Sequence, residues 1–226
     1  MPPLLSIVIP VLNEAGAIES LLLSLAQARG AEVELIVVDG GSTDGTRALC
    51  TGRADRIVAS DRGRARQMNA GAAAATGSAL LFLHADTTLP AGAPTLVHQA
   101  LAAGGYEWGR FDVCITGNAP VFRLIAALMN LRSRLSGIAT GDQAIFVRRD
   151  VFQTLGGFAE LPLMEDIEIS QRLRRRSAPA CLRARVVTSG RRWEKYGIWR
   201  TVLLMWRLRL LYWLGVPAER LAALYH

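Results

Sequence analysis

Apolar residues come in two rhythms along this chain. Nearly unbroken runs at 4–10, 33–38 and 80–83 alternate with stretches whose apolar positions recur every three or four residues. A short unbroken run suits a strand covered on both faces, as in a parallel sheet. The first run is followed by Ile18, Leu21, Leu22 and Leu25, which share one helical face, and Asn13 is placed to cap that helix. The second run ends in Asp39-Gly40-Gly41-Ser42-Thr43, where Gly and Asp mark a tight turn and Ser42 or Thr43 can cap a short helix. Residues 56–60 predict a third strand and 63–75 an Ala-rich helix. The run 80–83 then ends in His84-Ala85-Asp86. This alternation predicts an α/β fold with a doubly wound, mostly parallel sheet.

The second half is less regular. Helices are expected over 91–103, 120–135, 163–176 and 198–214, with a last one from Pro217. Strands are expected over 107–115, 144–147 and 182–188, and the first of these alternates as if half-exposed. Residues 163–176 carry acids in the first turn and arginines in the last, as the helix dipole prefers.

Composition narrows the class. The 226 residues are 51% hydrophobic and 20% charged, which excludes a disordered chain. The net charge of +7 is carried almost wholly by arginine and suits an anionic partner such as a nucleotide, a lipid headgroup or a membrane surface. Nucleic acid is not expected, because the basic residues form no stripe interleaved with aromatics. Cys50, Cys114 and Cys181 are scattered and odd in number, so neither a disulfide framework nor a thiolate metal site is expected. The opening MPPLLSIVIP lacks a signal peptide's basic start, and no apolar run is long enough to span a membrane. A cytoplasmic protein is expected, either free or peripheral on the inner membrane face.

In open α/β sheets ligands sit beyond the carboxyl ends of the strands. Asp39, His84 and Asp86 stand at such ends. A carboxylate at Asp39 can accept hydrogen bonds from a base or ribose, or simply shape its turn. Asp86 can hold a divalent cation against a diphosphate, or cap the next turn. Arg64 and Arg66 open the helix 63–75, where guanidinium groups favour phosphate. Glu165-Asp166 sit in a first helical turn, where carboxylates stay ionised and suit proton abstraction. The first strand is followed by Val11-Leu12-Asn13-Glu14 rather than a glycine fingerprint, which argues against hydride transfer. The only histidines are His84, His98 and His226, the last at a terminus where chains fray, so no Ser/His/Asp arrangement emerges.

Taken in order, SIVIPVLNE, VVDGGSTDGT, the Arg-containing helix with Asn69, LLFLHAD and MEDIEIS resemble the family-2 glycosyltransferases of the Rossmann-like GT-A fold. The resemblance implies transfer of one sugar, with inversion, from a nucleotide-diphosphate sugar (most commonly a UDP-sugar) to an acceptor hydroxyl. It implies a nucleotide pocket at Pro10, Asn13, Glu14, Asp39, Ser42, Arg66, Asn69, His84 and Ala85. It implies Mn2+ or Mg2+ on Asp86, with Asp166 as base beside Glu165. It also implies an acceptor region near Gly141, Asp142, Arg192 and Trp193. His84 departs from the family's usual acid, which affects metal affinity. Ser189 stands where processive synthases carry Gln, so single transfer is expected. The His84-Ala85-Asp86 triplet and the RRWEKYG…WRT…Y…GVP ending are similar to a small bacterial subgroup associated with arsenosugar biosynthesis.

Two other classes compete. A nucleotidyltransferase needs a glycine-rich basic loop after the first strand, which PVLNEAG lacks. A nucleotide-sugar-binding protein without turnover is the other. The expected organisation is a catalytic domain over 1–190 and a helical extension over 191–226. Segment 198–214, with Trp199, Trp206, Trp213 and three arginines, either lies on anionic lipid, packs on the domain or forms a homodimer.

Overall fold

The computed structural model describes residues 4–30, 32–117 and 119–225, without the side chain of Arg192. His226 lies outside the described residues. The first half runs β1 (Leu5–Val11), α1 (Ala15–Leu25), β2 (Val33–Asp39), α2 (Thr46–Cys50), β3 (Arg56–Ala59), α3 (Arg64–Ala74) and β4 (Ala79–Phe82). It continues with β5 (Thr87–Thr88), α4 (Ala93–Ala102), β6 (Trp108–Thr116), α5 (Val121–Ser136), β7 (Phe146–Arg148) and α6 (Arg149–Thr154). The last elements are α7 (Glu165–Arg174), β8 (Ala180–Ser189), α8 (Arg191–Tyr196), α9 (Ile198–Trp213) and α10 (Ala218–Tyr225).

The strands form one sheet in the order β3-β2-β1-β4-β7-β6-β8-β5. The first four are parallel, as the alternating pattern predicts. β6 and β8 are also parallel, while β7 runs antiparallel between β4 and β6, and β5 antiparallel to β8. The reversed β7 matters most for the site. Leu81 faces Phe146, and the Phe82 N–H donates to the Ile145 carbonyl at 2.9 Å. The segment that enters β7 is therefore laid beside the carboxyl end of β4.

Successive residues of a strand point to opposite faces, and β1 shows what covers each. Ile7 and Ile9 join Ile18 and Leu22 of α1, Val97 of α4 and Phe122 of α5. Val8 joins Met68 of α3, Phe152 of α6 and Leu173 of α7 on the other side. A Cβ on Gly71 would fall 2.4 Å from Val8 Cγ1, so α3 rests directly on the sheet where only glycine fits. A smaller cluster joins Leu208 of α9 and Leu221 of α10 to Met164 and Ile167, the residues flanking Glu165-Asp166.

Three local expectations are corrected. β6 is an interior strand rather than a half-exposed one. Its polar residues are paired indoors, since buried Arg110 pairs with Asp112 and donates to the Asn130 carbonyl of α5 at 3.2 Å. Asn13 does not cap α1. It takes a left-handed backbone (φ 55°), and its Oδ1 accepts the Thr43 N–H at 2.8 Å. Neither Ser42 nor Thr43 caps α2, which starts after Gly45 instead.

Candidate active site

The loops leaving β1 and β2 are stitched into one wall. Asp39, buried at the end of β2, accepts the Ser42 N–H at 3.0 Å. Ser42 Oγ in turn accepts the Asn13 N–H at 2.9 Å, and Thr46 Oγ1 accepts that of Glu14 at 2.9 Å. Beneath them lies Gln67 of α3. Its Nε2 donates to the carbonyls of Val11 at 2.7 Å and Val38 at 2.9 Å, bridging the ends of two neighbouring strands. Pro10 sits half-buried on β1 opposite Val38.

The end of β4 supplies the next group. Ala85 is buried in the core, while Asp86 is exposed. Burial pushes the Glu14 carboxyl above its ordinary range, and the facing charge of Asp86 pushes it further, against the pull of Arg191 and His84. His84 lies on the other side, its Nδ1 3.5 Å from Asp142 Oδ1. Burial would raise the Asp142 carboxyl, but His84 and Arg64 hold it below its usual value.

The third group belongs to α7. Asp166 Oδ2 accepts the Gly141 N–H at 2.9 Å, and Oδ1 accepts the N–H of Ile167 at 2.7 Å. A Cβ on Gly141 would sit 2.5 Å from His84 Cε1, so the backbone there touches the imidazole. Gly141 thus couples the end of β4 to the first turn of α7. Glu165 is buried, which raises its carboxyl, and Asp166 beside it raises it further. Arg64, 3.6 Å away, opposes both. Arg64, Met68, Phe82, His84, Glu165 and Asp166 border one small cavity. A groove of about 640 Å³ lies at the opposite end of the strands, against Leu5, Ala79 and Arg149.

Strained backbone marks the same places. Among the described residues the non-glycine positions with left-handed φ are Asn13, Ala144 at 46° and Met164 at 71°. Each adjoins a segment of the crevice, and such conformations persist only where surrounding structure enforces them.

The crevice therefore gathers Asn13, Glu14, Asp39, Ser42, His84, Asp86, Gly141, Asp142, Glu165 and Asp166. Other expected site residues are engaged elsewhere. Asn69 spends both ends of its amide on Phe158, donating to its carbonyl at 2.8 Å and accepting its N–H at 2.9 Å. It ties α3 to the loop before α7 and leaves little for a nucleotide. Arg66 pairs with exposed Glu160 at 3.0 Å, and Arg64 is the arginine turned to the acids. Trp193 packs against the main core rather than bordering the small cavity. The side chain of Arg192 lies outside the described residues. Two residues escaped the reading of the sequence. Gln67 was legible as a polar residue on the buried face of α3. Arg132 had no such signal. Its Nε and Nη2 are buried with no partner among the described residues. Burial brings its guanidinium down to about 10, Arg209 adds repulsion, and Asp166 opposes them.

Among the described residues no group of three His, Cys, Asp or Glu side chains is arranged to hold a metal ion. A magnesium-like cation needs only one or two protein carboxylates when phosphates complete its shell. Exposed Asp86, within electrostatic reach of Glu14, meets that smaller demand.

Acidic side chains from three separate elements, converging at the carboxyl edge of a mostly parallel sheet, define a ligand-binding α/β protein of the strand-end kind. Residues 6–178 match Glycosyl transferase family 2, and the chain belongs to that family. It is 36% identical over 166 residues to a PGL/p-HBAD biosynthesis glycosyltransferase of Mycobacterium bovis (strain BCG / Pasteur 1173P2), covering 69% of this chain and 63% of that protein. The crystal structure of S. aureus TarS 1–349 in complex with UDP superposes with a TM-score of 0.67 at 18% identity, over 84% of this chain and 60% of that one. The mannosyltransferase PcManGT of Pyrobaculum calidifontis, in complex with GDP-Man and Mn2+, gives 0.61 at 21% identity, over 83% and 57%. At these identities the likeness establishes the fold, GT-A. The chain spans less than two thirds of each of these proteins.

Proposed function

We propose that this protein transfers one sugar from a nucleotide-diphosphate sugar to an acceptor hydroxyl, with inversion and with the help of a divalent cation. The observation that carries the proposal is the convergence of Asp166 with His84, through Gly141, on the edge that also presents Asp39 and Glu14. Asp39, Ser42 and Asn13 line the nucleoside side. The relatives solved with UDP and with GDP-Man support a nucleotide-sugar donor, and UDP is the first candidate.

Asp166 is the base. Its two oxygens are oriented by backbone N–H groups and keep lone pairs for an acceptor hydroxyl. The acceptor oxygen attacks the anomeric carbon, and the bond to the diphosphate breaks with its electron pair leaving on phosphate. The hydroxyl proton passes to Asp166. Attack from the face opposite the leaving group inverts the anomeric centre. Glu165, buried and held by Arg64, positions its neighbour rather than meeting substrate. Asp86 and Glu14 would hold Mn2+ or Mg2+, which when bound neutralises charge on a diphosphate. The catalytic unit is 1–190, and the extension 191–226 packs on it through Leu208 and Leu221, against Met164 and Ile167. The subgroup associated with arsenosugar biosynthesis belongs to this proposal through the His84-Ala85-Asp86 triplet and the RRWEKYG…WRT…Y…GVP ending.

A thermal-shift panel of nucleoside diphosphates, each with and without Mn2+ or Mg2+, tests the donor side, because a ligand of the folded state raises the melting point. UDP with a cation is expected to give the largest rise. No rise with any nucleotide overturns the reading.

A further inference from the structure

The outward side of α9 carries a row of Trp199, Leu203, Trp206, Leu210 and Trp213, each between 56% and 79% exposed. They recur every three or four residues and so fall on one line along the helix. The opposite side is already used, with Leu208 buried against Met164 and Ile167. At about 100° per residue, Arg200 and Arg207 flank one edge of the row and Arg209 the other. The helix contains no Asp or Glu. Neighbouring α5 repeats the pattern with Leu124, Leu128, Leu131 and Leu135, and Arg132 on that helix lies near enough to Arg209 to feel its charge. Beside α9 a groove of about 490 Å³ is bordered by Leu203, Leu204 and Leu224, with Arg200, Arg207 and Tyr225 also lining it. Tyr225 is within electrostatic reach of Arg64, the partner of Glu165.

We infer that α9 and its groove seat this protein on an anionic phospholipid bilayer. Indoles and leucines enter the interfacial zone while the flanking arginines meet headgroup phosphates. An anionic bilayer offers both halves of this match, apolar depth and negative charge. A second copy of the chain fits less well, since a two-fold pairing of α9 would oppose arginine to arginine with no acid on the helix to compensate. No described helix is long and apolar enough to cross a membrane, so the contact is with the surface. Together with the proposed transferase activity, on which this last step rests, docking brings the acid pair to an acceptor held in that surface.

Flotation of the full chain with phosphatidylglycerol–phosphatidylcholine vesicles, and with phosphatidylcholine alone, tests the inference. The protein is expected to float with the anionic vesicles and to be released by salt. Trp199→Ser/Trp206→Ser/Trp213→Ser is expected to lose binding on the order of tenfold or more, and Arg200→Gln/Arg207→Gln to lose the preference for anionic lipid. Brominated lipid is expected to quench the wild type's tryptophan emission. The triple variant changes only exposed side chains, so its nucleotide-induced thermal shift reports an intact fold. Absence of flotation, or equal flotation by the triple variant, overturns the inference. So does a dimer in light scattering that the tryptophan changes dissociate. Flotation without any nucleotide response would leave the docking face standing and remove the donor reading instead.

Discussion

The two halves of this sheet reach the same crevice by different means. In the half built from β3, β2, β1 and β4, every strand is parallel and the acids at the edge sit at or just beyond a strand's carboxyl end. Asp39, Ser42, Asn13 and Glu14 are fixed there by short bonds between adjacent loops. In the other half the edge is reached by the segment entering the reversed strand β7 and by the start of α7, around the strained residues Ala144 and Met164. Regular strand ends suit a binding wall that many ligands of one class share. An irregular insertion can place one carboxylate, Asp166, at a spot no regular strand end would reach. On the proposed function, recognition falls to the first half and proton transfer to the second.

The strongest way to break that division is Asp166→Asn. Turnover is expected to fall about 10²- to 10⁴-fold, the usual weight of a positioned base. Steady-state kinetics would detect it, and a fall below tenfold would remove Asp166 from the role. Next is Gly141→Ala. The new methyl would lie 2.5 Å from His84 Cε1, so the ring or the loop must move. A loss of about 1–3 kcal/mol in urea unfolding is expected, together with lower turnover, as for other overpacked sites. An unchanged midpoint and rate would show that Gly141 does not couple the halves.

The smallest effect is a pH dependence. Burial raises the Glu165 carboxyl above its ordinary 4.5 in the folded protein. The folded state then holds its proton at pH values where the unfolded chain has lost it. This contribution to stability is fully present below the unfolded value and is lost as pH rises through the raised one. Glu165→Gln lacks that dependence. Urea titrations from about pH 4 to about pH 8 should show the variant gaining on the wild type as pH rises. A constant difference would mean that Arg64 cancels the cost of burial.

The first half was legible because each signal was local. The runs 4–10, 33–38 and 80–83 became β1, β2 and β4, and the helical face of Ile18, Leu21, Leu22 and Leu25 is buried as its spacing implies. The acids Glu165 and Asp166 were legible as a pair in a first turn. What joins them to His84 was not, because the contact depends on β7 turning back beside β4. β6 misled for a related reason. Arg110 and Asp112 look solvent-facing in sequence, yet they neutralise each other inside. A nucleotide role for Asn69 came only from the family resemblance, and only the loop at Phe158 shows what consumes its amide. On α9 the sequence showed tryptophans and arginines but not which face was already covered by Leu208.

Donor recognition and proton abstraction are proposed to belong to different halves of one crevice. Calorimetric titration of a UDP-sugar with Mn2+ into Asp39→Asn and Asp166→Asn separates them most directly. Asp39→Asn is expected to lose donor affinity and Asp166→Asn to bind as the wild type does. Loss of donor binding in Asp166→Asn, or undiminished binding in Asp39→Asn, would contradict it.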